Sequence, residues 1–283
     1  MLDQRTKGFL EDALKGDRLI TFLVGAGLSA DSGIPTFRGK EGFWTIGSKN
    51  ATPQSMGTKK MFDVNADEVW RWFLYRISIC EQAKPNLGHI ALSSIEKRLG
   101  ARFALISQNV DGLHFRPESL VNNLYLIHGD LRYMRCADEC SKALYPIPLF
   151  FREQIRSRET PLTFEEKQKL ICPKCGEMTR PHVLWFDEYY NEKYYHLETT
   201  LRVAKSTGLL VVIGTSGATN LPQQLVAKTL SRNGVVVDVN PETNIISDKL
   251  RGLAHGHHLR GKSSEVLLAI DGYLRERGSE LKT

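Results

Sequence analysis

The chain has 283 residues, 41% of them hydrophobic and 25% charged, which is typical of a globular protein with one large core or two modest domains. No apolar run approaches the roughly 20 residues that a transmembrane helix needs, which excludes an integral membrane protein of that kind. The formal net charge of +6 comes from scattered basic residues, which indicates a solvated surface with no specific nucleic-acid site and leaves a weak preference for acidic partners open.

The first residues of the chain and its cysteine content indicate the cellular compartment of the protein. Residues 1–17 mix acidic and basic side chains and contain no apolar core of a signal peptide. The cysteines number five, and an odd count argues against a disulfide framework. We expect a cytoplasmic protein, and we expect it to be a monomer.

Short apolar runs rich in Val, Ile and Leu recur without strict alternation, which is the pattern of strands buried on both faces of a parallel sheet. In chain order they are Leu19–Val24, Phe103–Ser107, Leu124–Ile127, Leu209–Ile213 and Val235–Val239. Helical patterns lie between them, as at Leu87–Leu99, Pro222–Ser231 and Ser263–Arg277. This alternation predicts an α/β fold with a Rossmann-like, doubly wound parallel sheet.

Two stretches interrupt the alternation of strands and helices. Residues 41–84 contain a polar loop and then a helix on which Val69, Phe73, Ile77 and Cys80 share one face. Residues 131–181 contain four cysteines and a charged middle. We expect a Rossmann-like domain built from residues 1–40, 85–130 and 182–283, with a helical insertion and a smaller module as its interruptions.

The first strand leads directly into a glycine-rich loop, Gly25-Ala26-Gly27-Leu28-Ser29-Ala30, which matches G-x-G-x-x-G/A. Small residues let the backbone approach a pyrophosphate, and a following helix start offers N–H groups. The motif alone fits equally well a tight turn that needs positive φ at glycine. The next residues, 31–39, end the helix early, and no acidic ribose ligand follows about 20 residues on, which is unlike an ordinary dehydrogenase.

Residues 25–39 together resemble the signature of the sirtuins, the NAD-dependent protein deacylases, with Asp31 where Glu is commoner. The resemblance implies that the chain binds NAD and consumes it. The residues that it places in the cofactor site are Gly25, Ala26, Gly27, Ser29, Asp31, Pro35, Phe37 and Arg38.

Polar residues follow the next two predicted strands, as Gln108-Asn109-Val110-Asp111 and as His128-Gly129. Ligands of open α/β sheets lie at the carboxyl ends of strands, so both segments should face the crevice of the glycine loop. A lone histidine after a strand is more often structural, but one that shares a crevice with Asn109 and Asp111 can act as a base near neutral pH.

The two segments resemble the sirtuin Q-N-x-D and H-G motifs. The resemblance implies that the acyl oxygen of the substrate displaces nicotinamide and that His128 is the general base that then activates a ribose hydroxyl. It also implies a catalytic role for Asn109, and it places Gln108, Asn109 and Asp111 around the ribose and nicotinamide.

The cysteine pairs have the spacing of a metal site. Cys136-x₃-Cys140 and Cys172-x₂-Cys175 are separated by 31 residues. Four thiolates close a tetrahedral zinc site and leave no position for water, so the metal is expected to be a single structural zinc ion. The alternative is four buried thiols. Sirtuins carry a zinc module between the same landmarks, whereas Cys80 is expected in the core.

The segment Val183-Leu184-Trp185-Phe186-Asp187-Glu188 resembles the sirtuin loop whose backbone pairs with the substrate peptide as an added strand, which predicts loose sequence specificity. Val183, Trp185 and Phe186 are therefore expected to contact substrate. Asp187 departs from the family pattern, in which Gly is usual, and this departure puts the peptide geometry in question.

On the inserted helix, Phe73 and Arg76 are neighbours at i, i+3. A subgroup of sirtuins that removes acidic acyl groups has Tyr-x-x-Arg here, with the arginine paired to the acyl carboxylate. The chain keeps the arginine and replaces the tyrosine by Phe73. Arg76 is thus a candidate acyl-pocket residue, and the alternative is a surface charge.

Two further loops complete the predicted cofactor site. Gly214-Thr215-Ser216 follows one predicted strand and Asn240-Pro241-Glu242 follows another, and both resemble sirtuin segments that hold phosphate and adenine ribose. The leading hypothesis is a deacylase that removes acyl groups from lysine in proteins, transfers them to ADP-ribose and releases nicotinamide. The alternatives are a protein ADP-ribosyltransferase or NAD hydrolase that uses the same site, and a non-catalytic NAD-sensing protein.

Overall fold

The computed structural model of the chain describes residues 2–36 and 53–280. Phe37 and Arg38, which the sequence assigns to the cofactor site, lie outside the described residues. The strands are β1 (Leu19–Val24), β2 (Phe103–Ser107), β3 (Leu124–Leu126), β4 (Gly129–Cys136), β5 (Tyr145–Pro146), β6 (Thr179–Val183), β7 (Thr207–Ile213), β8 (Val235–Asn240) and β9 (Gly256–Arg260).

The helices lie before, between and after these strands. They are α1 (Gln4–Lys15), α2 (Pro53–Met56), α3 (Lys59–Val64), α4 (Ala66–Gln82), α5 (Leu87–Leu99), α6 (Leu149–Arg152), α7 (Phe164–Gln168), α8 (Glu192–Tyr195), α9 (Leu197–Ser206), α10 (Asn220–Leu230), α11 (Ile245–Leu250) and α12 (Ser263–Glu280). Within the described residues, no helix is both long enough and apolar enough to cross a lipid bilayer.

A six-stranded sheet in the order β3-β2-β1-β7-β8-β9 forms the centre, and every neighbouring pair of its strands is parallel. The predicted Rossmann-like α/β fold is confirmed, and the apolar runs correspond to five of its strands. The sequence pattern does not predict β9, because Gly-His-His-Leu-Arg contains no apolar run. The strand order reverses between β1 and β7, and ligand crevices of such sheets open at this switch point.

The four inner strands of this sheet, β1, β2, β7 and β8, are buried on both faces. In β1, Phe22 and Val24 belong to one apolar cluster while Leu23 belongs to another, as the two-residue period of a strand requires. Helices α5 and α12 pack against each other and contribute to the first cluster, and α10 contributes to the second. A sheet covered by helices on both faces leaves its strand ends as the accessible edge.

A smaller antiparallel sheet, β5-β4-β6, lies outside the central one. It shares a third apolar cluster with α4, in which Val69, Phe73, Ile77 and Cys80 are all buried. The indole N–H of Trp70 on α4 donates to the backbone oxygen of Thr179 at 2.7 Å. The two predicted insertions therefore pack together. The small sheet begins at Gly129 and ends at Val183, slightly wider than the predicted 131–181, and the domain boundaries stay a prediction.

Gly129 is the point at which the chain passes from the central sheet to the small one, and a substitution there tests this junction. Its φ is +88°, and an added Cβ would lie 2.2 Å from the backbone oxygen of His182. We expect Gly129→Ala to lower the free energy of unfolding by about 2–5 kcal/mol, from left-handed strain and overpacking together.

Gly8, in the middle of α1, is the matched control because an added Cβ meets no atom within 4 Å there. Gly8→Ala should raise the free energy of unfolding by about 0.5–1 kcal/mol through lower backbone entropy of the unfolded chain. Denaturant titration of the three proteins checks both values. Equal stability of the Gly129→Ala variant and the parent would contradict this account of the junction.

Candidate functional site

A cavity of about 810 Å³ opens at the carboxyl ends of the central strands. Most of the residues that the sequence assigns to the site line it: Gly25, Ala26, Gly27, Asp31, Gln108, Asn109, His128, Gly214, Thr215, Ser216, Asn240, Pro241 and Glu242, together with Phe73, Arg76, Val183, Trp185 and Phe186. Ser29, Pro35 and Asp111 do not line it. Trp72, Tyr190, Asn244 and Lys262 also line it, although no sequence motif indicated them.

The glycine loop and the loop after β7 pack backbone against backbone. The N–H of Gly27 donates to the oxygen of Gly214 at 2.8 Å. A Cβ on Gly27 would lie 2.7 Å from Cα of Gly214, and one on Gly25 would lie 2.7 Å from Cβ of Thr215. Glycine is thus required here by close approach, in addition to any ligand. The loop continues as two short 3₁₀ turns, residues 26–28 and 30–32, and not as a long helix.

Behind the glycine loop, three predicted residues form one hydrogen-bonded group. The Asn109 amide donates to Ser29 Oγ at 3.1 Å and to the backbone oxygen of Gly25 at 3.1 Å. The Ser29 hydroxyl donates to Asp111 at 2.7 Å. Asn109 is the member that reaches the cavity, and Asp111 and Ser29 fix its orientation from behind.

His128 has one defined tautomer. Its Nδ1 is 2.9 Å from the backbone oxygen of Gln108, and because a carbonyl can only accept, Nδ1 carries the proton. Nε2 therefore keeps its lone pair and is 2.8 Å from the hydroxyl of Tyr190. Burial lowers the pKa of His128 to about 4, so the imidazole is neutral and able to accept a proton near neutral pH.

The side chain of Gln108 connects the two halves of the sheet across the switch point. Its Nε2 donates to the backbone oxygen of Val24 at 3.2 Å, and its Oε1 accepts from the hydroxyls of Thr215 and Thr219, both at 3.3 Å. Gln108 thereby holds the loop after β7 beside the end of β1.

A carboxylate that the sequence analysis missed organises the loop after β8. Asp238 is fully buried and accepts from Asn240 and Asn244, each at 2.8 Å, and contacts His258 at 2.9 Å. Burial raises the pKa of this carboxyl. Asp238 lies inside an apolar strand pattern, and an acidic residue in a buried strand is the sequence signal that could have revealed it.

One part of the cavity wall consists of aromatic side chains and Arg76. Arg76 is only 5% exposed, so it is not a surface charge. Its guanidinium carbon lies 4.7 Å from the ring centre of Trp72 and 5.5 Å from that of Phe73. Burial lowers the pKa of Arg76 to about 10, so it remains a cation near neutral pH. A buried cation in an aromatic wall is suited to an anionic group.

The predicted substrate loop is anchored to its own chain. The backbone N–H groups of Leu184, Trp185 and Phe186 donate to the His128 oxygen, the Glu188 carboxylate and the Gly57 oxygen at 2.9, 3.0 and 2.8 Å. The Asp187 carboxylate accepts from the backbone N–H groups of Lys59 and Lys60 at 2.7 and 3.0 Å, which joins the loop to the start of α3. These three backbone N–H groups therefore already have partners within the chain.

The four paired cysteines converge on one point outside this cavity. The sulfur atoms of Cys136, Cys140, Cys172 and Cys175 all lie within 4.8 Å of one another. The closest pairs are 3.5 and 3.6 Å apart, which is too long for disulfides and close to the roughly 3.8 Å edge of a tetrahedral Zn–S₄ site. The donor set therefore fits a structural zinc ion, and Cys80 lies apart in the apolar cluster with α4.

Comparisons with known proteins agree with this geometry. A model of the Sir2 family matches residues 25–220. An NAD-dependent protein deacylase of Leptospira interrogans is 37% identical over 248 residues, which cover 88% of this chain and 89% of that protein. A mutant Sir2 homologue in complex with ADP-ribose has a TM-score of 0.79 at 28% identity and covers 98% of each chain. A Sir2 homologue in complex with NAD has a TM-score of 0.77 at 29% identity and covers 98% of this chain and 96% of the other.

The thiol cluster makes a direct prediction about metal content. We expect the purified protein to contain about one zinc ion per chain and Cys172→Ser to lose most of it, because three thiolates hold zinc less tightly than four. Cys80→Ala is the control and should keep the metal, since Cys80 is not part of the thiol cluster. Elemental analysis of the dialysed proteins measures this, and full zinc content in Cys172→Ser would rule out the assignment.

Proposed function

The chain belongs to the Sir2 family, and from this membership we propose that it is an NAD-dependent protein-lysine deacylase, which transfers the acyl group to ADP-ribose and releases nicotinamide. The observation that carries the proposal is His128, a neutral base with a fixed tautomer in the wall of the cavity that the glycine loops line. A protein that only senses NAD needs no such base.

In this proposal, different parts of the cavity wall bind different parts of the co-substrate. The glycine loop and residues 214–216 hold the phosphates through close backbone approach, and residues 240–242 hold the adenine ribose. Asn109, fixed by Ser29 and Asp111, orients the nicotinamide end. Asp31, which lines the cavity, is assigned to the same end, and Pro35, Phe37 and Arg38 are assigned to it by resemblance alone. When bound, NAD supplies the ribose carbon from which nicotinamide leaves and the ADP-ribose that accepts the acyl group.

The protein's own contribution to the chemistry is proton transfer and orientation. His128 Nε2 accepts a proton from a hydroxyl of the bound co-substrate, and the bond from Nδ1 to the Gln108 oxygen stabilises the imidazolium that forms. Val183, Trp185 and Phe186 place the acylated lysine, with the peptide backbone paired along the loop. Because the loop pairs with the peptide backbone, we expect turnover to depend little on the amino-acid sequence around the lysine.

We further propose that the preferred acyl group is acidic. Arg76 supports this because it is a buried cation that lines the same cavity as His128. Phe73 cannot supply the hydroxyl that a tyrosine would add, so the guanidinium alone has to recognise the acyl carboxylate.

The chain's location and organisation follow from the same proposal. A cluster of four thiols that holds zinc is maintained in a reducing compartment, which supports the cytoplasm. We also propose that the chain is a monomer, as expected from its sequence. We propose the division into a Rossmann-like NAD-binding domain, a helical insertion and a zinc module with the boundaries predicted from sequence.

Substitution of the base tests the function. We expect His128→Ala to retain NAD binding and to lose about 10²–10⁴-fold in deacylation, the range that general-base catalysis contributes. Mass spectrometry of an acyl-peptide reaction with labelled NAD measures the O-acyl-ADP-ribose product. Label on protein would indicate ADP-ribosyl transfer instead, and release of nicotinamide without peptide would indicate hydrolysis.

A control variant accompanies this test. His255→Ala, at an exposed histidine outside the cavity lining, should leave turnover unchanged.

Because burial lowers the pKa of His128 from 6.5 to about 4, its base form persists in mild acid, and the acid limb of kcat/KM should lie nearer pH 4 than 6.5. Near-normal turnover in His128→Ala would refute the assignment of the base.

A second substitution tests the acyl group. We expect Arg76→Gln to lower kcat/KM for succinyl-lysine peptides by about 10- to 100-fold, the worth of a hydrogen bond to a charged group, and to change the value for acetyl-lysine peptides only a few-fold. Arg71→Gln is the control, because Arg71 lies on the same helix, pairs with Glu68 and does not line the cavity. Equal losses on both substrates would show that Arg76 is structural and not selective.

A further inference from the structure

Tyr190 makes a contact with the candidate base that neither its sequence context nor the family resemblance indicates. Its hydroxyl lies 2.8 Å from Nε2 of His128, and the two ring centres are 5.9 Å apart with a 34° angle between the planes. Both residues line the large cavity. The phenol oxygen therefore contacts Nε2, the atom that accepts a proton in the proposed reaction.

The direction of this hydrogen bond follows from the tautomer. Nδ1 of His128 donates to the Gln108 oxygen, so Nε2 has no proton to offer and can only accept. Burial raises the pKa of Tyr190 to about 12, which keeps the phenol protonated near neutral pH. The Tyr190 hydroxyl must then be the donor, and its proton occupies the lone pair of Nε2.

We propose that Tyr190 is a positioning residue that caps the base: its hydroxyl holds the place on His128 Nε2 that a co-substrate hydroxyl must take, and it leaves when the ligand binds. The inference rests on the proposed role of His128 as general base. A lone pair that already accepts a hydrogen bond cannot take a proton from water or from a misplaced hydroxyl. After displacement, the co-substrate hydroxyl gives its proton to Nε2, and Nδ1 keeps its proton on the Gln108 oxygen.

The position of Tyr190 in the chain supports this role. On one side, Glu188 is held by Trp185 N–H at 3.0 Å and by the Arg180 guanidinium at 2.8 Å. On the other, Asn191 caps α8 by accepting from the Tyr194 N–H at 2.9 Å. Only residues 189 and 190 lie between these anchors. The cap is therefore attached directly to the proposed peptide loop, and it can yield by side-chain movement without loss of that loop.

The neighbours of the phenol lie on the cofactor side. Because the phenol gives its own proton to His128, it accepts from Thr219, whose hydroxyl also lies 3.3 Å from Gln108 Oε1 and shares its single proton between the two acceptors. Thr219 is the N-cap residue of α10 and follows closely on Gly214-Thr215-Ser216. Tyr190 thus lies between the proposed peptide loop and the proposed phosphate loop, where binding of either substrate can displace it.

The test compares Tyr190→Phe, which removes only the hydroxyl, with Tyr189→Phe, the same change at the adjacent, 91% exposed tyrosine. The first measurement is an NMR titration of the His128 imidazole in the ligand-free protein. A bond donated to Nε2 stabilises the neutral ring, so its loss should raise the pKa of His128 by about 0.4–1 unit in Tyr190→Phe. Tyr189→Phe should titrate like the parent.

The second measurement is the calorimetric affinity for ADP-ribose. Because no hydrogen bond has to be broken first, Tyr190→Phe should bind about 2- to 10-fold more tightly than the parent, and Tyr189→Phe should not differ. An unchanged His128 titration in Tyr190→Phe would overturn the contact. Weaker ADP-ribose binding by Tyr190→Phe than by the parent would refute the capping role and would indicate that Tyr190 contacts the ligand. Failure of the deacylase proposal is distinguishable, since His128→Ala would then keep its turnover while both of these differences persist.

Discussion

The contact between two glycines, Gly27 and Gly214, is the constraint on which the rest of the site depends. The loops after β1 and β7 approach so closely that a single methyl group on either glycine would lie within 2.8 Å of the other loop. This approach occurs where the strand order reverses, so it determines the width of the crevice at the switch point. Gln108 then extends from β2 to bond both sides, through Val24 on one and Thr215 on the other.

Burial lowers the pKa of two groups in the cavity wall, His128 and Arg76, but leaves them in different charge states near neutral pH. It lowers the pKa of His128 to about 4 and so makes the imidazole a neutral base. It also lowers the pKa of Arg76 to about 10, which still leaves the guanidinium charged near neutral pH. The same low-dielectric environment therefore produces a proton acceptor at one place and an anion partner at another, because the two side chains start from very different intrinsic pKa values.

The thiol cluster and the part of the cavity wall that contains Arg76 belong to one continuous structure. Cys136 ends β4 and Thr179 begins β6, and the two pair in the small sheet. Trp70, on the helix that carries Phe73 and Arg76, donates to the Thr179 oxygen. A metal that orders the small sheet thus also orders the helix that contributes Phe73 and Arg76 to the cavity wall.

The sequence by itself determined the features that depend on local pattern. Apolar runs revealed five of the six central strands, glycine spacing located the loop after β1, and the spacing of Cys136, Cys140, Cys172 and Cys175 located the metal site. Only the tertiary structure decided what distant residues do to one another. It placed Tyr190 on His128, joined Asp187 to α3 and buried Arg76, whose exposure an i, i+3 spacing cannot reveal. The physical reason is that a motif specifies backbone conformation over a few residues, whereas burial and hydrogen-bond partners depend on segments dozens of residues apart.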